Sequence, residues 1–359
     1  MGLLNEAYFY VGAYTSDSEP TGISYCRLNT ETGEIAVVDT YRDLPNASFL
    51  ALNEARTVLY AVSETDTYEG RKGGSVAAYA IAPETGKLTK LNQQPTDGSA
   101  PCYVSLDGEG RRLYVANYMG GNVTVLPIQA DGSLGAPVQL LQHAGAIGPR
   151  ADRQEAPHAH SIVPTPDNRF AVAADLGLDR LLVYAIAAES GDLAPHSEAA
   201  LAAGAGPRHV VFSADQRYVY AVNELDSTVT VLSYDAAAGR MAAVQSLSTL
   251  PAGFSGESTC ADIHLSGDGR FLYASNRGDD SITVYAVDRQ RGTLTVAGWA
   301  STQGRTPRNF ALSPDGGFLL AANQDASTLV VLRRSAETGL LEETGITAAI
   351  SRPVCVKFV

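Results

Sequence analysis

At 359 residues, 45% of them hydrophobic and 18% charged, the chain carries enough apolar side chain for a large core. Its formal net charge of −13 argues against a nucleic-acid partner, whose phosphates need a basic footprint. No apolar run approaches the roughly 18 residues of a membrane-spanning helix, and Met1–Tyr14 lacks a basic segment followed by an apolar one, so a cytoplasmic protein with no signal peptide or membrane anchor is expected.

From the N-terminus onward, short apolar runs end on a small or polar residue: YVGAY (10–14), LYAVSE (59–64), LYVANY (113–118), AVAADL (171–176), VYAVNE (219–224), LYASNR (272–277) and LLAANQ (319–324). Turns of the ETGxL kind follow each, with glycines at Gly33, Gly86, Gly132, Gly191, Gly239, Gly292 and Gly339. Both markers recur with a period near fifty. Each copy reads as four strands; in the fifth, PRHVVFS, YVYAVN, TVTVLSY and MAAVQSL are strands a to d, alternating β-branched and aromatic residues between turn formers. The expected fold is all-β: one seven-bladed β-propeller over residues 1–359, four antiparallel strands per blade. The chain opens on a b-type strand, and RPVCVKFV (352–359) resembles the a-type PRHVVFS. The C-terminal strand 352–359 should therefore pair beside Phe9–Tyr14 and close the ring, removing two exposed edges. A closed ring is self-sufficient, so a monomer is expected.

Two longer segments, Leu141–Ala156 and Leu250–Thr259, fit lids, walls or solvated insertions, and Thr65–Gly74 reads as a flexible tip. The cysteines Cys26, Cys102, Cys260 and Cys355 lack CxxC spacing and read as reduced structural thiols. Of 26 basic residues only Lys72, Lys87, Lys90 and Lys357 are lysine. The arginine bias suits an anionic substrate, although base composition alone would produce it.

Antiparallel strands put the d-to-a and b-to-c connections on one face of the ring and the a-to-b turns and ETG hairpins on the other. The first face receives the starts of strands a (His158, His160, Arg208, His209, Arg308) and the ends of strands b (Glu64, Asn117, Tyr118, Asp175, Glu224, Asn276, Arg277, Gln324). Asn117, Asn223 and Asn276 fit turn caps, Asn117 remaining a candidate substrate contact with Tyr118, Asp175, His209, Arg308 and Gln324. Glu224 and Arg277 replace what other copies place there and could form a structural ion pair. His158 and His160, two residues apart on a strand, would project from one face. Metal binding by them with Asp175 is disfavoured, because neighbouring arginines would repel a cation.

The motifs RQEAPHAHS (153–161), GPRHVVFS (206–213), YAVNELDSTV (220–229), GRFLYASNRGDDSI (269–282) and TPRNFALSPDGGFLLAANQ (306–324) resemble those of the seven-bladed lactonase family, which includes propeller-type 6-phosphogluconolactonases and carboxy-cis,cis-muconate cyclases. The resemblance implies a cofactor-free enzyme that opens or makes a lactone at one end of the channel, acting on a small anionic lactone. Catalytic roles would fall on one of His158 and His160, and on Arg208, Glu224 and Arg277; Arg153 and Gln154 of the first motif become candidate substrate contacts. Glu224 would take a proton from water and a histidine would donate to the leaving oxygen, unless nearby arginines weaken Glu224 as a base and reverse the roles. Cyclisation of a muconate needs the same groups. A non-catalytic binding propeller needs only the repeat, and would spread its polar residues evenly instead of clustering them between copies four and seven.

Overall fold

The alternating β-branched and aromatic runs form strands throughout the computed structural model, which describes residues 5–359 and contains no α-helix among them. Seven four-stranded antiparallel sheets result. In blade 5, strand a is Pro207–Phe212, strand b Tyr218–Asn223, strand c Thr228–Asp235 and strand d Arg240–Ser248. Strands b and c are apolar on both faces because each sheet is sandwiched between two others; strands d alternate toward solvent. The core accordingly lies between blades. Val172, Ala174 and Leu181 of blade 4, for example, pack on Val210, Val219 and Leu232 of blade 5.

All seven hairpin glycines between strands c and d have φ between 60° and 85°. At Gly339 there are two reasons for glycine: φ is +74°, and a Cβ would lie 2.3 Å from the Phe271 ring of the preceding blade. The Gly339 carbonyl also accepts the Tyr273 hydroxyl (2.8 Å), as Gly132 accepts Tyr60 (3.0 Å) and Gly191 accepts Tyr114 (2.7 Å). Each bond ties one blade to the next.

The seven innermost strands ring the channel: Pro353–Phe358, Leu50–Leu52, Pro101–Leu106, Ala159–Pro164, Pro207–Phe212, Thr259–Leu265 and Pro307–Leu312. Closure occurs as expected, with Phe9 opposite Phe358 and Gly12 opposite Cys355. Thr65–Gly74, expected as a flexible tip, contains a short hairpin. Thr67–Tyr68 pairs with Arg71–Lys72 across Glu69 and Gly70, both at positive φ, which gives a tight two-residue hairpin.

Deleting residues 352–359 exposes the inner edge of Glu6–Ala13 and uncovers Phe9 and Val11, which pack beside Val356. The expected outcome is insoluble protein, checked by expression and size-exclusion chromatography; a soluble truncated monomer would contradict it.

Candidate active site

Six of the seven innermost strands break register near their start. The breaks skip Cys102, His160, Arg208, Ala261 with Asp262, Arg308, and Val354. A β-bulge adds one unpaired residue and re-aims its side chain, so this repeated irregularity sets equivalent side chains at one height around one channel mouth. His160 thereby occupies the position of Arg208, and His158 lies ahead of its strand. The residues at or just past the ends of strands b form a second ring: Tyr14, Glu64, Tyr118, Leu176, Glu224, Arg277 and Gln324.

Glu224 is the centre of the site. Its Oε1 accepts from Arg153 Nη2 (2.5 Å), and its Oε2 lies 3.1 Å from Arg208 Nε and 3.0 Å from Arg277 Nη2. Arg153 comes from the long Leu141–Ala156 segment and also donates to the Tyr118 hydroxyl (3.3 Å). Burial alone would raise the Glu224 pKa, but Arg277, Arg208 and Arg153 together override it and hold the carboxyl well below the usual range. Arg208 is pushed down to about 10 by burial and by its neighbours Arg308 and Arg277. It keeps its charge at neutral pH.

His160 is buried, with Nδ1 3.7 Å from Cys102 Sγ; its Nε2 has no protein partner among the described residues. Burial first, then Arg208 and His209, hold its pKa well below 6.5, so the imidazole is neutral. His158 has a different role. Its ring stacks on Tyr118 (4.5 Å), Nδ1 donates to the Tyr118 carbonyl (3.0 Å), and Nε2 faces Glu155 Oε1 (3.1 Å). Both nitrogens are engaged, and His158 holds Tyr118 in place.

Below the mouth, His209 Nε2 accepts from Arg208 Nη1 (3.2 Å) while its Nδ1 donates to Asp262 Oδ1 (2.7 Å). Asp262 Oδ2 accepts from His264 (2.8 Å) and from Asn309. Burial, and then Arg208, push His209 down to about 4. Phe49 stacked on Tyr103 (4.1 Å), with His209 edge-on to both, closes the floor.

The chain matches the family described as "Lactonase, 7-bladed beta-propeller" over residues 8–358. It is 40% identical over 349 residues to a 6-phosphogluconolactonase of Bacillus subtilis, covering 97% of both chains. It is 35% identical to one of Pectobacterium carotovorum, over 96% of this chain and 97% of that one. Among solved structures, a periplasmic gluconolactonase of Pseudomonas aeruginosa superposes with a TM-score of 0.92 at 35% identity, over 99% of each chain. The chain belongs to the seven-bladed propeller lactonase family.

Within this lactonase, His160, Arg208, Glu224, Arg277, Arg153, Tyr118 and Arg308 converge on one mouth with His209 beneath them, whereas three expected substrate contacts, Asn117, Asp175 and Gln154, turn into the fold. Asn117 is fully buried and latches strand b to strand c through Asn122 (2.8 Å) and Thr124 (2.9 Å), as Asn223 and Asn276 do in their blades. Asp175 pairs with His143 (2.6 Å) and caps the His158 and Leu178 amides. Gln154 is wholly buried, bonded to Leu176, Asp179 and Arg150, and pins the segment that carries Arg153. Gln324 hydrogen-bonds its neighbour Asp325 (2.9 Å). Asn117, Asp175 and Gln154 are each fully buried and bonded to protein neighbours, whereas the buried Oε1 of Gln324 has no partner, so Gln324 remains a candidate contact. Ser48, Cys102, Asp262 and Tyr14 lie outside the sequence candidates, while Glu64, expected on this face, accepts the Tyr14 hydroxyl there. Aligning the triplets PCY, AHS, PRH, CAD, PRN and PVC on the bulge would have found Cys102 and Asp262.

Glu224→Gln leaves three crowded guanidiniums without their counter-charge, so a loss of about 3–5 kcal/mol is expected by chemical denaturation. The wild type should also weaken in acid. His160, His209, Glu224 and Asp262 all have folded pKa values below their unfolded ones, so the unfolded chain binds more protons. Stability should fall first below pH about 6.5, where unfolded histidines protonate, and again below about 4, where carboxylates do. Denaturation curves at several pH values check this; a flat profile contradicts the charge states.

Proposed function

We propose that the protein opens a sugar lactone of the 6-phosphogluconolactone type to the free acid without a cofactor. The observation that carries this reading is a neutral, buried His160 with one free nitrogen, set among four guanidiniums at one mouth, in a chain similar over its whole length to enzymes named 6-phosphogluconolactonase. His160 Nε2 takes a proton from water as the water oxygen bonds to the lactone carbonyl carbon. Arg208 and Arg277 hold the charge that develops on the carbonyl oxygen. When the carbon–ring-oxygen bond breaks, the imidazolium returns its proton to the leaving alkoxide.

Glu224 is not the base in this scheme. Its three arginine partners make it a poor proton acceptor, and its work is to hold Arg208 and Arg277 in place. The excess of arginine at the mouth suits an anionic substrate in a protein that is acidic elsewhere. Four free, buried cysteines fit a reducing compartment, and the closed ring fits a monomer.

A coupled assay on 6-phosphogluconolactone, unphosphorylated gluconolactone and carboxymuconate tests the reading. Opening of the phosphorylated lactone is expected; muconate turnover alone would replace hydrolysis by cyclisation, and none would leave a binding scaffold. Arg208→Ala and His160→Gln should each cost on the order of 10² in kcat. The acid limb of the kcat/KM profile should lie below pH 6.5, because the free imidazole stays neutral there. A limb at or above 6.5 would remove His160 as the base.

A further inference from the structure

Three of the four arginines at the mouth are committed. Arg153, Arg208 and Arg277 bind Glu224, and Arg208 and Arg277 also donate to the Ala261 and Cys260 carbonyls. Arg308 is not: among the described residues it forms no ion pair and donates no hydrogen bond. It packs over the Tyr14 ring, 5.4 Å from the centroid, as does Arg352. Its bulge position matches those of Arg208 and His160, so it shares their height, two blades on from Arg208 and three from His160.

Arg308 lines a narrow cleft with Ser48, Glu64, Cys102, Arg208 and Asn309. Ser48 is only 5% exposed and its hydroxyl has no partner. A buried hydroxyl left without a partner is costly unless something completes it, and the partly exposed Arg308 guanidinium lines the same cleft. The remaining polar groups are already engaged. Asn309 bonds to Asp262 and to the Val356 amide (2.7 Å), and Glu64 Oε2 accepts the Tyr14 hydroxyl (2.9 Å). Four guanidiniums, Arg153, Arg208, Arg277 and Arg308, meet three carboxylates, Glu64, Glu224 and Asp262. The mouth is therefore locally positive in a chain of formal net charge −13. About 10 Å³ of the cleft is free, room for one water molecule, so a larger group must displace side-chain atoms. Untethered at its tip, Arg308 is the side chain free to yield.

We propose that Arg308, with the Ser48 hydroxyl, is the subsite for the distal anion of the substrate, the phosphate of a phosphorylated sugar lactone. The proposal rests on the lactonase reading for what lies at the other end: the lactone carbonyl sits on the His160 side of Arg208, and the phosphate lies on its other side, toward Arg308 of blade 7. Arg308 then sets the preference for phosphorylated over plain lactone, while the reaction centre sets the rate.

The test compares kcat/KM for 6-phosphogluconolactone and gluconolactone in wild type, Arg308→Gln, Arg308→Lys and Ser48→Ala. A charge-assisted contact predicts that the ratio of the two falls about 10–100-fold in Arg308→Gln. It should fall less in Arg308→Lys and several-fold in Ser48→Ala, with the change carried by KM. An unchanged ratio overturns the subsite, as does an equal loss on both substrates. If Arg308→Gln does not fold, as judged by thermal melting, the Lys and Ser48→Ala variants carry the comparison. Calorimetric titration with 6-phosphogluconate and gluconate separates this inference from the reading it rests on. Should the wild type open neither lactone, the lactonase reading fails. Tighter binding of 6-phosphogluconate that is lost in Arg308→Gln would still support the subsite, and equal binding by the two proteins would overturn it.

Discussion

One buried carboxylate organises the mouth of the ring. Glu224 leaves strand b of blade 5 and gathers Arg208 from the same blade, Arg277 from blade 6 and Arg153 from the segment between blades 3 and 4. Burying a charge is costly, and it is tolerated here because both oxygens are met by guanidiniums at hydrogen-bond distance. The converse also holds. Three arginines could not crowd together without that carboxylate, so the positive character of the mouth and the position of each fork depend on it.

The same crowding divides the chemistry. A carboxylate held by three cations makes a poor base, whereas burial, with Arg208 beside it, keeps the His160 imidazole from protonating. One positive field at the mouth thus goes with an ionised Glu224 and a neutral His160, the charge states on which the proposed hydrolysis rests. His209, tied between Arg208 and Asp262, braces the guanidinium from below. The bulges at the start of the innermost strands bring these groups level. Without the extra residue, strict alternation would not set His160, Arg208 and Arg308 at matched positions.

Much of the architecture was legible from local pattern. The YVAN-like runs and ETG turns specified seven copies of four strands, and the glycines of those turns are where positive φ and an aromatic neighbour demand them. The end-to-start resemblance of RPVCVKFV to PRHVVFS pointed to closure. The face that holds the site followed from strand direction alone. The two histidines share a strand face in the pattern, and only the bulge, which sets AHS on PRH, separates His160 from His158. Asn117 and Asp175 sit at the ends of strands b, as Asn223 and Asn276 do, yet Asn117 turns inward to latch a hairpin and Asp175 to hold His143.

By itself, the sequence determined what is periodic: strand number, blade count, turn chemistry and the face on which polar residues collect, since each depends on residues within a few positions of one another. Tertiary structure alone decided which polar groups meet. Arg153, Glu224, Arg277 and Arg308 lie far apart in the chain, and closure of the ring sets whether each finds a buried partner, an opposite charge or open space. Charge state follows from that surrounding: the neighbours of Glu224 hold it ionised, and burial holds His160 neutral.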